Sequence, residues 1–524
     1  MFVDARDMET DQILRSDLCI IGAGAAGITI AHALKDKAVD VCLLEAGGLE
    51  YSEQSQSMYQ GRNVGVPYLP LDACRLRYFG GTTNPWGGQC QPLTTIDFQK
   101  RPWIRDSGWP ITRESLDPFY LRAQSVLKLG PMAYEEENWN LLGFTGLGVD
   151  RRKLVQRRWQ FSPPVRFGRA FHDDLHTASN IKVVLNANVD NIQATATGTA
   201  ISGVDFRTLE GHRGRAVARA YVLACGGIEN ARMLLVSNTV EENGLGNRHG
   251  QVGRFFMTHA NVTVGKILST NSKAFVAALG DQKSSFGGLH PSETLQEAEE
   301  ILNAGAIIEF RETTESAILA ARAIKIDIEA GKVPDDLAGA LWRVIRDIDD
   351  VAVALWQHYV EDRSTYNSAS LLSLGLDLEQ VPSADSRVSL TSDVDALGMK
   401  RVALDLRLTD LHKRTALAVT NAVAAEIGRL GLGRVQLADW LRNPGDKQPP
   451  NIHWLNHHMG TTRMSEDPRA GVVDSDCKVH NIENLYVAGS SVFSTGGYAN
   501  PTLTIVALAL RLADHLKTRF KSRI

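Results

Sequence analysis

Residues 17–45 constrain the fold of this chain more than any other stretch. Asp17-Leu-Cys-Ile-Ile21 reads as a short apolar strand running straight into Gly22-Ala-Gly-Ala-Ala-Gly27. A helix is expected from Ile28 to Lys35, then a second strand from Val39 to Leu44 that ends at Glu45. A G-x-G-x-x-G run is a weak signal by itself, but between a strand and a helix it has a physical task. Gly22 permits the tight turn, Gly24 lets a pyrophosphate approach the backbone, and Gly27 lets helix and strand pack closely. The first helical turn, with Ala25 and Ala26, presents free N–H groups to phosphate. A carboxylate at Glu45 can accept hydrogen bonds from ribose hydroxyls and would repel a 2′-phosphate. The unit therefore binds a dinucleotide without phosphate on its adenosine ribose. Whether that is NAD or FAD this motif does not decide.

The 524 residues carry 56 basic and 60 acidic side chains, a net charge of -4, which argues against a nucleic-acid binder. Hydrophobic residues at 44% and charged residues at 22% are the proportions of a soluble globular protein. No stretch reaches the ~18 apolar residues of a membrane span, and the first residues lack a secretory pattern. The six cysteines show no CxxC spacing. A reducing cytoplasm is the expected compartment.

Further strands are expected at Ile181 to Leu185 and Ala218 to Cys225, around a meander from Ala200 to Arg207. Residues 287–361 read as largely helical, with Pro291 and Pro334 at first helical positions. Leu337, Leu341, Val344, Ile348 and Leu355 form a core-facing stripe. Residues 369–406 alternate in short strand-like runs. A strand from Asn484 to Ala488, a glycine-rich turn and a helix from Pro501 to Lys517 bring back the texture of the first domain. The chain leaves that domain and returns to it.

The C-terminal part also carries His457-His-Met-Gly-Thr461, Gly471-Val-Val-Asp474, Asn484-Leu-Tyr-Val-Ala-Gly489 and Gly497-Tyr-Ala-Asn-Pro-Thr-Leu-Thr504. With the first glycine loop, Gly80-Gly-Thr-Thr-Asn-Pro-Trp-Gly-Gly88 and Gly253-Arg-Phe-Phe-Met-Thr-His259, the chain resembles the glucose-methanol-choline (GMC) family of FAD oxidoreductases. Within it, the resemblance is closest to the branch of pyranose oxidase and the bacterial sugar and polyol dehydrogenases. It implies an α/β fold: a Rossmann-like FAD-binding domain from residues 1–258 and 451–524, and an inserted substrate domain, 259–450, on an antiparallel sheet plus helices. It also implies oxidation of an alcohol CH–OH to a carbonyl, with hydride passing to the flavin. A sugar, glycoside or polyol is the favoured substrate; a simple, aromatic or choline-like alcohol is the alternative, and a lyase on the same scaffold a further one. An electron acceptor (oxygen, quinone, dye or redox protein) is required, and the oligomeric state is left open.

By the same resemblance His457 is the catalytic histidine, and histidine suits removal of the hydroxyl proton near neutral pH. His458, one residue away on an extended segment, should point to the other side. Asn500 matches the second active-site position, where its amide could hold the substrate hydroxyl or, alternatively, cap the following helix. Pro501 and Thr502 open that helix, whose positive end would face the flavin. Gly489 and Ser490 match a turn at the FAD phosphate, although the aspartate usual near that turn is absent here. Val189 matches the strand holding adenine, Ala46 follows the ribose carboxylate, and Gly81, Thr82, Asn84, Trp86 and Gly87 belong to the flavin loop. No histidine or cysteine stands at residues 83–86, so FAD is expected to be non-covalent. His453 and His457 are four apart, but Pro449-Pro450 and the missing glutamate argue against a metal site.

Overall fold

The computed structural model describes residues 1–163, 165–280, 285–310, 342, 371–446 and 448–521. Three sheets organise them. The first runs in the order Phe2–Asp4, Ile181–Leu185, Val41–Leu44, Gln12–Ile21, Arg213–Leu223, Ile201–Arg207, Asn188–Ala194, and Leu485–Val487 also pairs with Arg213–Leu223. Its first five strands and Leu485–Val487 are parallel, while Ile201–Arg207 and Asn188–Ala194 close one edge antiparallel. Parallel strands covered on both faces should be apolar throughout. Leu18 to Ile21 and Val41 to Leu44 are accordingly buried without interruption. The helix Ala25–Ala33 follows the first glycine loop, and the C-terminal helix Thr502–Lys521 packs beside it. That last helix runs to Lys521, one turn past the expected end.

The second sheet is antiparallel, in the order Gly433–Leu437, Ala260–Ser269, Leu371–Leu378, Ala304–Phe310, Ser285–Pro291, Leu154–Phe161, Gln89–Cys90. His453–Trp454 pairs with the start of Ala260–Ser269. One face, with Val262, Leu289, Ala306, Leu372, Leu374 and Leu376, packs on Ala416, Val419, Val423 and Ile427 of the helix Asp410–Arg429. The opposite face carries a different set. Register places Asn261 opposite Asp377, Asp377 opposite Gly305, and Trp159 opposite Phe286, all on that second face. The third sheet joins Arg387–Val394, Lys400–Asp405 and Gly61–Asn63.

The helical expectation for 287–361 is corrected where it can be compared. Ser285–Pro291 and Ala304–Phe310 are strands, and the only helix between them is Glu293–Glu299. Two adjacent glycines, Gly287 and Gly288, disfavour a helix, and Ser292 starts one by accepting from the Leu295 N–H at 3.0 Å. Pro291 thus ends a strand. Pro334 and the stripe from Leu337 to Leu355 lie outside the described residues. Leu154–Phe161 and Gln89–Cys90, within the stretch 1–258, run in the second sheet and not the first. Among the described residues no helix is long and apolar enough to cross a membrane.

Candidate active site

The parallel strands Gln12–Ile21, Val41–Leu44 and Leu485–Val487 end on the same edge of the first sheet, where α/β proteins bind nucleotides. The loop after the first of them divides its three glycines as expected. Gly22 has φ +102°, and a Cβ there would stand 2.7 Å from the Ala224 carbonyl oxygen. A Cβ on Gly27 would stand 1.9 Å from the Gly22 carbonyl oxygen, so only glycine lets the helix close onto the strand. Gly24, the residue before the helix, faces open space. Glu45 is buried, and its two oxygens accept from the Ala23 N–H and the Gly47 N–H, both at 2.9 Å. Burial raises its carboxyl pKa, and these N–H groups oppose the shift.

Two other glycine turns meet this loop. The Gly80 N–H donates to the Ala23 carbonyl at 2.8 Å, and a Cβ on Gly81 would come 3.5 Å from the Gly24 Cα. Gly489, at φ +104°, meets nothing nearer than the Ala26 Cβ at 4.0 Å. Gly87 also faces open space, and Thr82 is exposed, its hydroxyl accepting from the Leu76 N–H at 3.1 Å. Asn84 and Trp86 turn inward: the Asn84 amide donates to the Phe79 carbonyl and the Trp86 indole to the Val165 carbonyl, each at 2.9 Å. Val189 is buried opposite Phe206, and Ala46 lines a cleft of about 420 Å³ with Asn186 and Asn188. Open glycines, a buried carboxylate and a helix N-terminus on one edge are the features an FAD molecule requires, so these residues fit that cofactor.

The segment beside Gly489 carries the histidines. Ser490 donates its hydroxyl to the His458 carbonyl at 2.6 Å, and the Gly460 N–H donates to the Ser490 carbonyl at 3.1 Å. Met459 and Met257 exchange two backbone hydrogen bonds of 2.9 and 3.0 Å as an antiparallel bridge. Two residues along, that register sets His457 opposite His259, with their Nδ1 atoms 2.8 Å apart. Asn456, at φ +58°, then breaks the ladder, and pairing resumes with Trp454 opposite Ala260. A bulge of this kind re-aims the side chains beside it. His458 points the other way, as expected, with its Nε2 at 3.0 Å from the Tyr68 hydroxyl. Burial, then the nearby Arg75 charge, lowers the His458 pKa to about 3. The His457 pKa is also lowered well below 6.5, by burial and by the rings of His259 and His458.

Asn500 stands just before Pro501 and the helix Thr502–Lys521, and its Oδ1 accepts from the Trp159 indole N–H at 3.1 Å. The side chain therefore reaches out to the second sheet and leaves the helix end. Trp159 stacks on Phe286 with centroids 4.8 Å apart and meets Tyr498 edge-on. Cβ atoms on Gly288 and Gly305 would lie 2.5 and 2.9 Å from the Trp159 ring, so this pair of glycines makes the floor on which the indole lies. The Tyr498 hydroxyl accepts from Arg157, whose guanidinium also pairs with Glu135 at 2.6 Å. His259, Trp159 and Tyr498 were not singled out by sequence. Two of them lie in quoted runs, 253–259 and 497–504, but Trp159 lies in a strand with polar residues on both faces and no periodic signal.

Residues 382–509 match the family model described as GMC oxidoreductase. The fructose dehydrogenase large subunit of Gluconobacter japonicus is 22% identical, over 98% of this chain and 99% of its own length. The C-glycoside 3-oxidase of Microbacterium trichothecenolyticum is 36% identical over 28% of this chain and 27% of its own. Among solved structures, a formate oxidase superposes with a TM-score of 0.57 at 17% identity, covering 98% of this chain and all of that one, a likeness of fold. GMC oxidoreductases bind FAD and act on CH–OH donors through it. Residues 382–509 therefore carry a domain of the GMC oxidoreductase type, and along its length the chain shares the fold of a solved oxidase.

Proposed function

We propose that this protein oxidises a carbinol of a sugar, glycoside or other polyol to a carbonyl, with His457 taking the hydroxyl proton. The observation that carries this reading is the continuity of one segment: the turn Gly489–Ser490 of the cofactor cradle is hydrogen-bonded to the backbone of the His457–Gly460 stretch. Bound FAD supplies a two-electron acceptor for the carbinol hydride. Gly22, Gly24, Ala25, Ala26, Gly27, Gly489 and Ser490 would hold its phosphates, Glu45 and Ala46 its ribose, Val189 its adenine, and Gly81 to Gly87 its ring. Pro501 and Thr502 would turn a positive helix end to that ring. The His457 ring would take the proton from the alcohol oxygen, and the two electrons leave with the carbinol hydrogen for that acceptor, so that the step would balance. Asn500, oriented by Trp159, would hold the substrate oxygen.

Support for a polyol comes from the second sheet. Its second face joins a buried aromatic cluster (Trp159, Phe286, Tyr498) to a polar pair, the Asn261 amide donating to the buried Asp377 at 2.7 Å. Apolar ring faces beside a few fixed polar groups suit a ligand that is apolar on its faces and hydroxylated at its edge. Fructose dehydrogenase and C-glycoside 3-oxidase, two relatives named above, act on such compounds. In domain terms, 1–258 and 451–524 would hold FAD and 259–450 the substrate, with Leu154–Phe161 added to the substrate side.

The test is anaerobic bleaching of the flavin by a panel of D-glucose, D-fructose, glycerol and benzyl alcohol. Reduction by a sugar or by glycerol ahead of benzyl alcohol is expected; the reverse order overturns the polyol reading. FAD would be held without a covalent bond, because Cys90, the nearest cysteine to the flavin loop, is fully buried in a strand. Acid precipitation should release all flavin, and flavin fluorescence that stays with the polypeptide on a denaturing gel would contradict this.

A further inference from the structure

We propose that His259 is a positioning residue that sets the tautomer of His457, accepting at its own Nδ1 the Nδ1–H of His457 and so leaving the His457 Nε2 lone pair free for the substrate proton. The inference rests on the reading of His457 as the base. Between two nitrogens 2.8 Å apart there is room for one proton, so one ring must donate and the other accept. If His259 donated, neutral His457 would carry its hydrogen on Nε2 and could take no proton there. The role of His457 decides between the two: a base whose Nδ1 is engaged by His259 must keep Nε2 free of hydrogen, so its hydrogen sits on Nδ1 and is donated. With His457 as the donor, the neutral His259 ring accepts at Nδ1 and carries its own hydrogen on Nε2. His259 Nε2 is buried and has no hydrogen-bond partner of full geometry. It lies 3.5 Å from where a Cβ of Gly496 would stand, enclosed by that turn.

The local fold holds the pair in this relation. The Met257–Met459 bridge sets the register, and the His457 N–H donates to the Thr258 hydroxyl at 3.2 Å. The two rings stand nearly perpendicular, at 85°, so that each nitrogen meets the other at an edge. When His457 accepts the substrate proton at Nε2, its Nδ1–H remains donated to neutral His259, and the bond strengthens as the donor becomes charged. Nothing in this step moves a proton through His259.

The tautomer can be read directly in holoenzyme labelled with ring-15N histidine, whose nitrogen shifts and one-bond couplings separate Nδ1–H from Nε2–H rings. His457→Ala identifies the His457 signals by their loss. Nδ1–H at His457 and Nε2–H at His259 are expected; Nε2–H at His457 overturns the proposal, whatever the variants do. Kinetics give a second arm, using whichever panel alcohol bleaches the flavin. His259→Leu should lower the flavin-reduction rate about 10–100-fold at unchanged FAD content. His259→Asn, whose amide oxygen can stand near the lost Nδ1, should recover most of it. Leucine at the wild-type rate, or asparagine no better than leucine, overturns the proposal, and if neither variant folds the spectrum of the unaltered protein still decides. If instead His457→Ala keeps its rate, it is the assignment of the base that fails.

Discussion

His457 is kept neutral by where it sits. A histidine in water would switch on as a base near neutral pH, and the sequence alone leads to a reduction rate that rises through that range. In the folded protein, burial and the neighbouring rings of His259 and His458 push its pKa well below 6.5. The rising limb is therefore expected in acid, with a plateau from about pH 6 upward. Stopped-flow flavin reduction across pH checks this, and a midpoint at or above 7 would contradict it. His457→Ala should lower the plateau rate by about two to four orders of magnitude with FAD retained. Asn500→Ala should cost less, since in the proposed reaction the amide would orient the hydroxyl and take no proton. Glu45 has a different part: its oxygens tie the Ala23 and Gly47 N–H groups. Glu45→Ala should weaken FAD binding by about 1–3 kcal/mol, through a loosened loop and the ribose contact proposed for this carboxylate. Equilibrium titration of the apoprotein with FAD measures it.

The second sheet is two-faced, and its polar face holds an acid that pays for burial in its ionisation. Asp377 is buried beside Asn261, and its pKa is raised from 3.8 to about 7, by burial first. Between these values the unfolded carboxyl is ionised while the folded one keeps its proton, so unfolding releases a proton. The element is therefore destabilised as pH rises from about 4 to 7, and the loss is complete above 7. Asp377→Asn keeps an acceptor for the Asn261 amide and removes the ionisation. The variant should match the parent near pH 4 and exceed its stability by roughly 4 kcal/mol at pH 8. Urea unfolding at both pH values tests this; an equal difference at the two would show that ionisation is not the cause.

Across the described residues, buried histidines shape the acid response. His259 and His412 are lowered to about 4, His290 and His458 to about 3, and His457 well below 6.5, in every case chiefly by burial. Below pH 6.5 the unfolded chain protonates these rings while the folded chain does not, so unfolding takes up protons and stability falls as pH falls. Their stabilising contribution is fully present above 6.5 and is withdrawn on the way down to about 4. The raised carboxyls of Asp377, Glu45, Asp97 and Asp190 act the opposite way, while the lowered carboxyls of Asp174 and Glu229 act with the five rings, so the acid side is the destabilised one. The holoenzyme should have a clearly lower Tm at pH 5 than at pH 7.5 by differential scanning fluorimetry, and a flat profile would contradict the buried-histidine account.

The geometry of the first glycine loop was legible in its residues because its determinants are local. A turn at Gly22, an open approach at Gly24 and a tight contact at Gly27 each follow from a missing Cβ within a few residues of chain. The opposite aim of His457 and His458 likewise follows from extended backbone. The second sheet was not legible to the same degree: Ser285–Pro291 and Ala304–Phe310 read as helix because short apolar runs are ambiguous until their partners are known. The partners of the two candidate catalytic side chains were also out of reach. His259 meets His457 across 198 residues, and Trp159 meets Asn500 across 341. Sequence alone determined which chemical groups the chain carries and where its turns fall. Only the tertiary structure decided which nitrogen faces which, because strand register between distant segments is set by the packing of the whole sheet and leaves no mark on the residues next in line.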